Sequence, residues 1–109
     1  MLGIMSIHTQ EQLEEAFGKP KAIIFKNSLS CGISRHARGE LEAFAREHAG
    51  NVDIYMIDVV ADRTLSNTVA ARTGVRHESP QAFYLENGTV VWHASHFSIT
   101  KEELEKVTG

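Results

Sequence analysis

The order of its hydrophobic patterns constrains what this chain can fold into more than any other feature. Thr9 to Phe17 reads as a helix, with Thr9 and Gln12 at capping-box spacing and Leu13, Ala16 and Phe17 on one face. Gly18-Lys19-Pro20 ends it. Ala22-Ile23-Ile24-Phe25 is a continuous apolar run between turn signals, the pattern of a strand covered on both faces. After a loop at Asn27–Ser30, the spacing of Ile33, Ala37, Leu41, Phe44, Ala45 and His48 predicts a helix from about 32 to 48. Val52 to Val59 reads as a second strand. Arg63 to Arg72 follows as a helix, with Asp62 as its cap and Gly74 as its stop. Gln81–Leu85 and Thr89–His93 flank Asn87-Gly88, a tight-hairpin signal. Thr100 and Glu103 then open a last helix with Leu104 and Val107 facing inward.

The string is therefore α-β-α-β-α-β-β-α. Strands separated by crossover helices are expected to be parallel, with right-handed connections. The hairpin adds antiparallel strands, giving a mixed central sheet of about four strands with helices on both faces. This α/β order matches the thioredoxin-like fold, as one domain spanning residues 1–109. Area scaling predicts a folded surface of ~6,000 Å² against ~17,500 Å² for the open chain, enough burial for one core. A net charge of −3 argues against a nucleic-acid binder built on a basic field. No apolar run approaches the ~20 residues of a membrane helix.

Cys31 is the single cysteine, so neither a disulfide framework nor a multi-cysteine metal site can form within the chain. Met1-Leu2-Gly3-Ile4-Met5 has no basic n-region and too short an apolar run for a signal peptide, which points to a reducing cytoplasm. Cys31 stands where the loop after the first apolar strand opens the first long helix. Unpaired N–H groups and the helix dipole at such a place stabilise a thiolate. Arg35 and His36 add positive charge within one turn. In Cys31-Gly32-Ile33-Ser34, Ser34 holds the place of the second sulfur of a C-x-x-C pair. A hydroxyl can hydrogen-bond a thiolate but cannot resolve a mixed disulfide, so the chemistry narrows to a monothiol one. The plain alternative is a small buried hydrophobe, as free cysteines often are. Ser79-Pro80 precedes the third expected strand. In a thioredoxin-like domain a cis proline at this place faces the nucleophile, and the backbone before it can pair with an extended substrate.

With Cys31-Gly32-Ile33-Ser34, Ser79-Pro80-Gln81 and this element order, the chain resembles the monothiol bacilliredoxins, thioredoxin-like general stress proteins of low-GC Gram-positive and related bacteria. The most specific stretches are Arg76-His77-Glu78-Ser79-Pro80-Gln81 and Ala94-Ser95-His96, and the resemblance spans roughly residues 6 to 108. It implies an enzyme that strips bacillithiol, a cysteine–glucosamine–malate thiol, from protein cysteines. Cys31 would be the nucleophile and Pro80 the cis proline. The family's usual motif has proline after the cysteine; here Gly32 removes a φ restraint at the helix start. Dithiol thioredoxins carry Trp before the first cysteine and an acid six positions before it, where this chain has Ser30 and Phe25. Monothiol glutaredoxins carry Cys-Gly-Phe-Ser and bridge a [2Fe–2S] cluster, but their glutathione clamp after the hairpin is replaced here by His93-Ala94-Ser95-His96. A non-catalytic redox-sensing or cluster-binding module is the competing reading.

A malate-bearing thiol carries two carboxylates, so its site should offer cations or free N–H groups. Lys26, Arg35, Arg76 and His77 border the expected cleft and are the candidates. His93 and His96 read as structural rather than as metal ligands, and His48 as a complement to a helix dipole. Phe83, Tyr84 and Trp92 read as core and sheet-face residues. The expected partners are S-thiolated client proteins and bacillithiol as co-substrate, with no tightly bound cofactor, no nucleic acid, no membrane and a monomeric state.

Overall fold

The computed structural model describes residues 3–109. Met1 and Leu2, the start of the N-terminal run read above, lie outside the described residues. The elements are β1 (Ile4–Ser6), α1 (Gln10–Phe17), β2 (Lys21–Asn27), α2 (Gly32–His48), β3 (Asp53–Asp58), α3 (Arg63–Thr73), β4 (Gln81–Glu86), β5 (Thr89–Ser95), a 3₁₀ turn (His96–Ser98) and α4 (Lys101–Thr108).

Five strands form one sheet in the order β1-β3-β2-β4-β5. β2 runs parallel to β3, with Ile24 opposite Tyr55, and antiparallel to β4, with Ile24 opposite Phe83. The strand beyond the four expected is β1. It adds three residues to the outer edge of β3, too few for any alternation to show in the sequence.

Every residue of β2 from Ala22 to Asn27 is buried: Ala22–Phe25 as their unbroken apolar run requires, and Lys26 and Asn27 beyond it. Ala22 and Ile24 pack with Phe83, Leu85, Leu13, Phe17, Leu65 and Val69 under α1 and α3. Ile23 and Phe25 pack with Ala82, Tyr84, Leu41, Phe44 and Leu104 under α2 and α4. The accessible surface is 5679 Å², in line with a single core.

Local signals set the element ends. The Gln12 amide donates to Thr9 Oγ1 and the Thr9 amide donates to Gln12 Oε1, each at 3.1 Å, closing the capping box of α1. The Glu103 amide donates to Thr100 Oγ1 at 3.1 Å. Asn87 and Gly88 take φ values of 52° and 81°, the paired left-handed conformation of a tight hairpin turn. Gly74 closes α3 at φ 72°. Asp62 stands at the N-cap of α3 without capping it; its carboxylate meets His8 Nδ1 at 3.0 Å instead.

This topology gathers one end of the sheet. The last residues of β2 and β3, the first of β4 and the last of β5 all lie there, because β4 is antiparallel to β2 and β5 to β4. Cys31 follows β2 and Pro80 precedes β4 at that end.

Candidate functional site

The site starts from the turn between β2 and α2. The Cys31 amide donates to the Ser28 carbonyl at 3.3 Å, and the Ser28 amide donates to Ser34 Oγ at 3.2 Å. Ser34 is fully buried, so its hydroxyl fastens the loop from within the first turn of α2. Cys31 itself is the N-cap residue, half-buried, with extended backbone at φ −102° and ψ 125°. Its sulfur therefore lies beside the open N–H groups of the first helical turn. The Ser34 and Ile33 amides, aimed at it, hold its thiol below the ordinary range; partial burial opposes them, and the Ser34 hydroxyl adds a smaller push in the same direction.

Ser34→Ala is expected to act twice. It leaves the Ser28 amide without its acceptor, which costs about 1–3 kcal/mol where that group stays dry. It also removes one donor from the sulfur. The pH profile of Cys31 alkylation should shift upward, and a profile identical to wild type would rule out the assigned role of Ser34.

The Ser79–Pro80 peptide bond is cis. The loop before it is fastened by Gln81, whose Nε2 donates to the Arg76 carbonyl at 2.9 Å while its Oε1 accepts the Glu78 amide at 3.3 Å. The Pro80 carbonyl accepts the His96 amide at 3.0 Å. Among the described residues, the Ser79 hydroxyl is buried without a partner.

The expected cations fall into two groups. Arg35 and Arg76 are exposed and, among the described residues, form no ion pair. Arg76 lines a cavity of about 840 Å³ with Glu78, Gln81, Trp92, His93 and Ser95. Lys26 departs from the cleft cation expected of it. It is fully buried, it shares a face with Ala22 and Ile24, and its Nζ sits 3.1 Å from His77 Nδ1 and 5.7 Å from the centre of the Phe83 ring. Burial lowers its pKa to about 8. His77 is exposed on its outer side, yet burial first, then Lys26 and Arg63, hold its pKa below the ordinary value.

Three features went unread in the sequence. Ser66, buried on α3, places its Oγ 3.3 Å from His77 Nδ1. Asn27 is buried at the end of β2 with no partner for either atom of its amide among the described residues. Exposed Leu29 and Val60 line a small apolar hollow with Ser30, Asp58 and Ala61. Among these, Asn27 alone carried a visible signal, following Ile23 and Phe25 on one face of the strand.

The other histidines take contacts unlike a shared metal site. His93 packs against Phe83 with ring centres 6.4 Å apart, and His96 Nδ1 faces Glu78 at 3.5 Å. His48 does more than complement a helix end: it stacks on Phe44 at 4.8 Å and meets Glu105 at 2.9 Å. Glu47, His48 and Glu105 bring ligand atoms within 4.8 Å of one another, but the Lys101 ammonium already pairs with both carboxylates. Among the described residues no helix is long and apolar enough to cross a membrane.

Comparison with solved structures places the fold. A candidate oxidoreductase with a thioredoxin fold is 32% identical, with a TM-score of 0.90 over 97% of this chain and 94% of that one. The thioredoxin of Malassezia sympodialis is 19% identical, with a TM-score of 0.75 over 96% and 87% of the two chains. The thioredoxin of Trypanosoma brucei brucei is 13% identical, with a TM-score of 0.76 over 95% and 86%. These likenesses establish a thioredoxin-like fold, with five strands where about four were expected. Residues 5–104 match the family described as Monothiol bacilliredoxin BrxC. The chain belongs to the monothiol bacilliredoxin family and has a thiol redox function.

Proposed function

We propose that this protein is a monothiol thiol–disulfide oxidoreductase that removes bacillithiol from mixed disulfides on protein cysteines, with Cys31 carrying the bacillithiol in between. The Cys31 thiolate attacks the bacillithiol sulfur of the mixed disulfide. A new S–S bond forms at Cys31, the old one breaks, and the client leaves as a thiolate. A second bacillithiol thiolate then attacks the bacillithiol sulfur on Cys31. It releases bacillithiol disulfide and restores the Cys31 thiolate. No net electrons are left on the protein, so no cofactor need be tightly held.

The single observation that carries this reading is the position of Cys31. It is half-exposed at the N-cap of α2, with helix amides turned toward its sulfur and no second cysteine in its chain. Ser34, in the resolving position, holds the loop instead of closing a disulfide. Ser79 and Pro80 border the same end of the sheet, where the Ser79 backbone can pair with an extended client segment. Arg76, Arg35 and the outer edge of His77 are the groups offered to the malate carboxylates. The clients are S-thiolated proteins, met by a monomer in the cytoplasm.

The test is intact mass after exposure to a bacillithiol mixed disulfide and, separately, to the glutathione one. The expected result is a single bacillithiol adduct on Cys31, removed by free bacillithiol. An adduct with glutathione alone would overturn the bacillithiol assignment. No adduct with either would overturn the reaction.

A further inference from the structure

Lys26 is a fully buried ammonium whose polar neighbour is an imidazole rather than a carboxylate. An ammonium has three donors and no acceptor. At 3.1 Å it can only donate, so His77 Nδ1 must be the lone-pair nitrogen. The proton of the neutral ring then sits on Nε2. His77 Nδ1 faces two buried groups, Lys26 and Ser66, while the residue as a whole is exposed. The ring's open edge, with Nε2, is therefore the outward one. His77 lies three residues before Pro80, on the loop that Gln81 fastens to the start of β4.

We infer that Lys26 is a positioning residue: from beneath the sheet end it fixes His77 as the neutral tautomer with Nε2–H outward, and so presents a directed donor to a carboxylate or carbonyl of the incoming mixed disulfide. This deepens the proposed function and rests on it for the identity of the acceptor. It turns the expected role of Lys26 around, from a cation that touches substrate to a group that acts through a histidine. The charged groups around the ring fit this assignment. Arg63 and Lys26 oppose a second proton on His77, and Glu78 alone favours one. A doubly protonated pair would put two cations 3.1 Å apart.

Nitrogen-resolved spectra of the imidazole at pH 7.5 test the tautomer, in wild type and in Lys26→Met. Wild type should show a protonated Nε2 and a lone pair on Nδ1. Lys26→Met should lose that preference, and the His77 titration should move up toward an ordinary histidine. Kinetics with a bacillithiolated protein supply the second arm. Lys26→Met and His77→Asn should each raise KM several-fold with kcat little changed. His77→Asn keeps an acceptor for Lys26 and loses the outward donor, so a purely structural pair predicts an unchanged KM for it. A proton on Nδ1 in wild type, or an unmoved His77 titration in Lys26→Met, overturns the inference. So does an unchanged KM in His77→Asn. Absence of turnover in wild type counts against the proposed function, and the imidazole spectra then decide the Lys26–His77 assignment by themselves.

Discussion

Cys31→Ser is expected to lose thiol exchange down to the rate of the uncatalysed solution reaction, with the fold intact. The exchange needs an anion at position 31, and a serine hydroxyl does not ionise near neutral pH. No other sulfur in the chain can stand in. The fold survives because Ser is among the best N-cap residues, and position 31 is the N-cap of α2. The cysteine side chain makes no cap bond of good geometry there, although the Ser34 and Ile33 amides favour its thiolate. Circular dichroism and a melting curve at or above that of wild type, beside a lost mass adduct, is the expected pair of results. A variant that keeps its melting temperature and still exchanges bacillithiol would remove Cys31 from the chemistry.

Lys26→Met is expected to stabilise the protein. Burial draws the ammonium from its usual range to about 8, and among the described residues no ion pair offsets the lost hydration. A shift of that size corresponds to roughly 3 kcal/mol. An apolar side chain of similar length, set among Phe83 and the α3 face, avoids that penalty. For a domain of this size, roughly 4–8 °C of melting temperature accompanies each kcal/mol. The sign with pH is fixed. The folded pKa lies below the unfolded one, so between about 8 and ~10.4 the unfolded chain holds a proton that the folded chain has shed. Folding stability of the wild type therefore gains from Lys26 as pH rises through that window, and the penalty is whole below it. The advantage of Lys26→Met should be full at pH 7 and fade above pH 10. Comparing the two proteins cancels the titration of Tyr55 and Tyr84, both held up at about 12 mainly by burial. A variant less stable than wild type at pH 7 would show that the Lys26–His77 bond outweighs the cost of the buried charge.

Together these two substitutions describe a chain that keeps a sulfur where a hydroxyl would cap and a cation where a methionine would pack. Sites of function are where local rules of stability are expected to give way.

The patterns that spoke clearly in the sequence were the periodic ones. β2 was legible because the four consecutive apolar residues Ala22–Phe25 leave no polar face, and α2 because its apolar residues recur over four turns. The hairpin was legible because Asn87 and Gly88 tolerate left-handed backbone. β1 was not legible: a three-residue edge strand exists by pairing with β3, which no local pattern records. Cys31 could be placed at a helix start from its position between two periodic segments. Lys26 reads as a cleft cation because its segment borders the cleft, yet it follows Ala22 and Ile24 at a spacing of two, and that alternation sets it on the covered face with them. His77 stood out in the sequence as part of a motif, while its partners Lys26 and Ser66 are brought to it from 51 and 11 residues away. Contacts of that kind belong to topology, and topology was known only as an order of elements.

The most direct test of the account is the rate of Cys31 alkylation by iodoacetamide in the folded protein as a function of pH. The prediction is a midpoint below the ~8.5 of a free cysteine, the direction in which the Ser34 and Ile33 amides move it. A midpoint at or above that value, or a thiol that reacts only once the protein is unfolded, would contradict it.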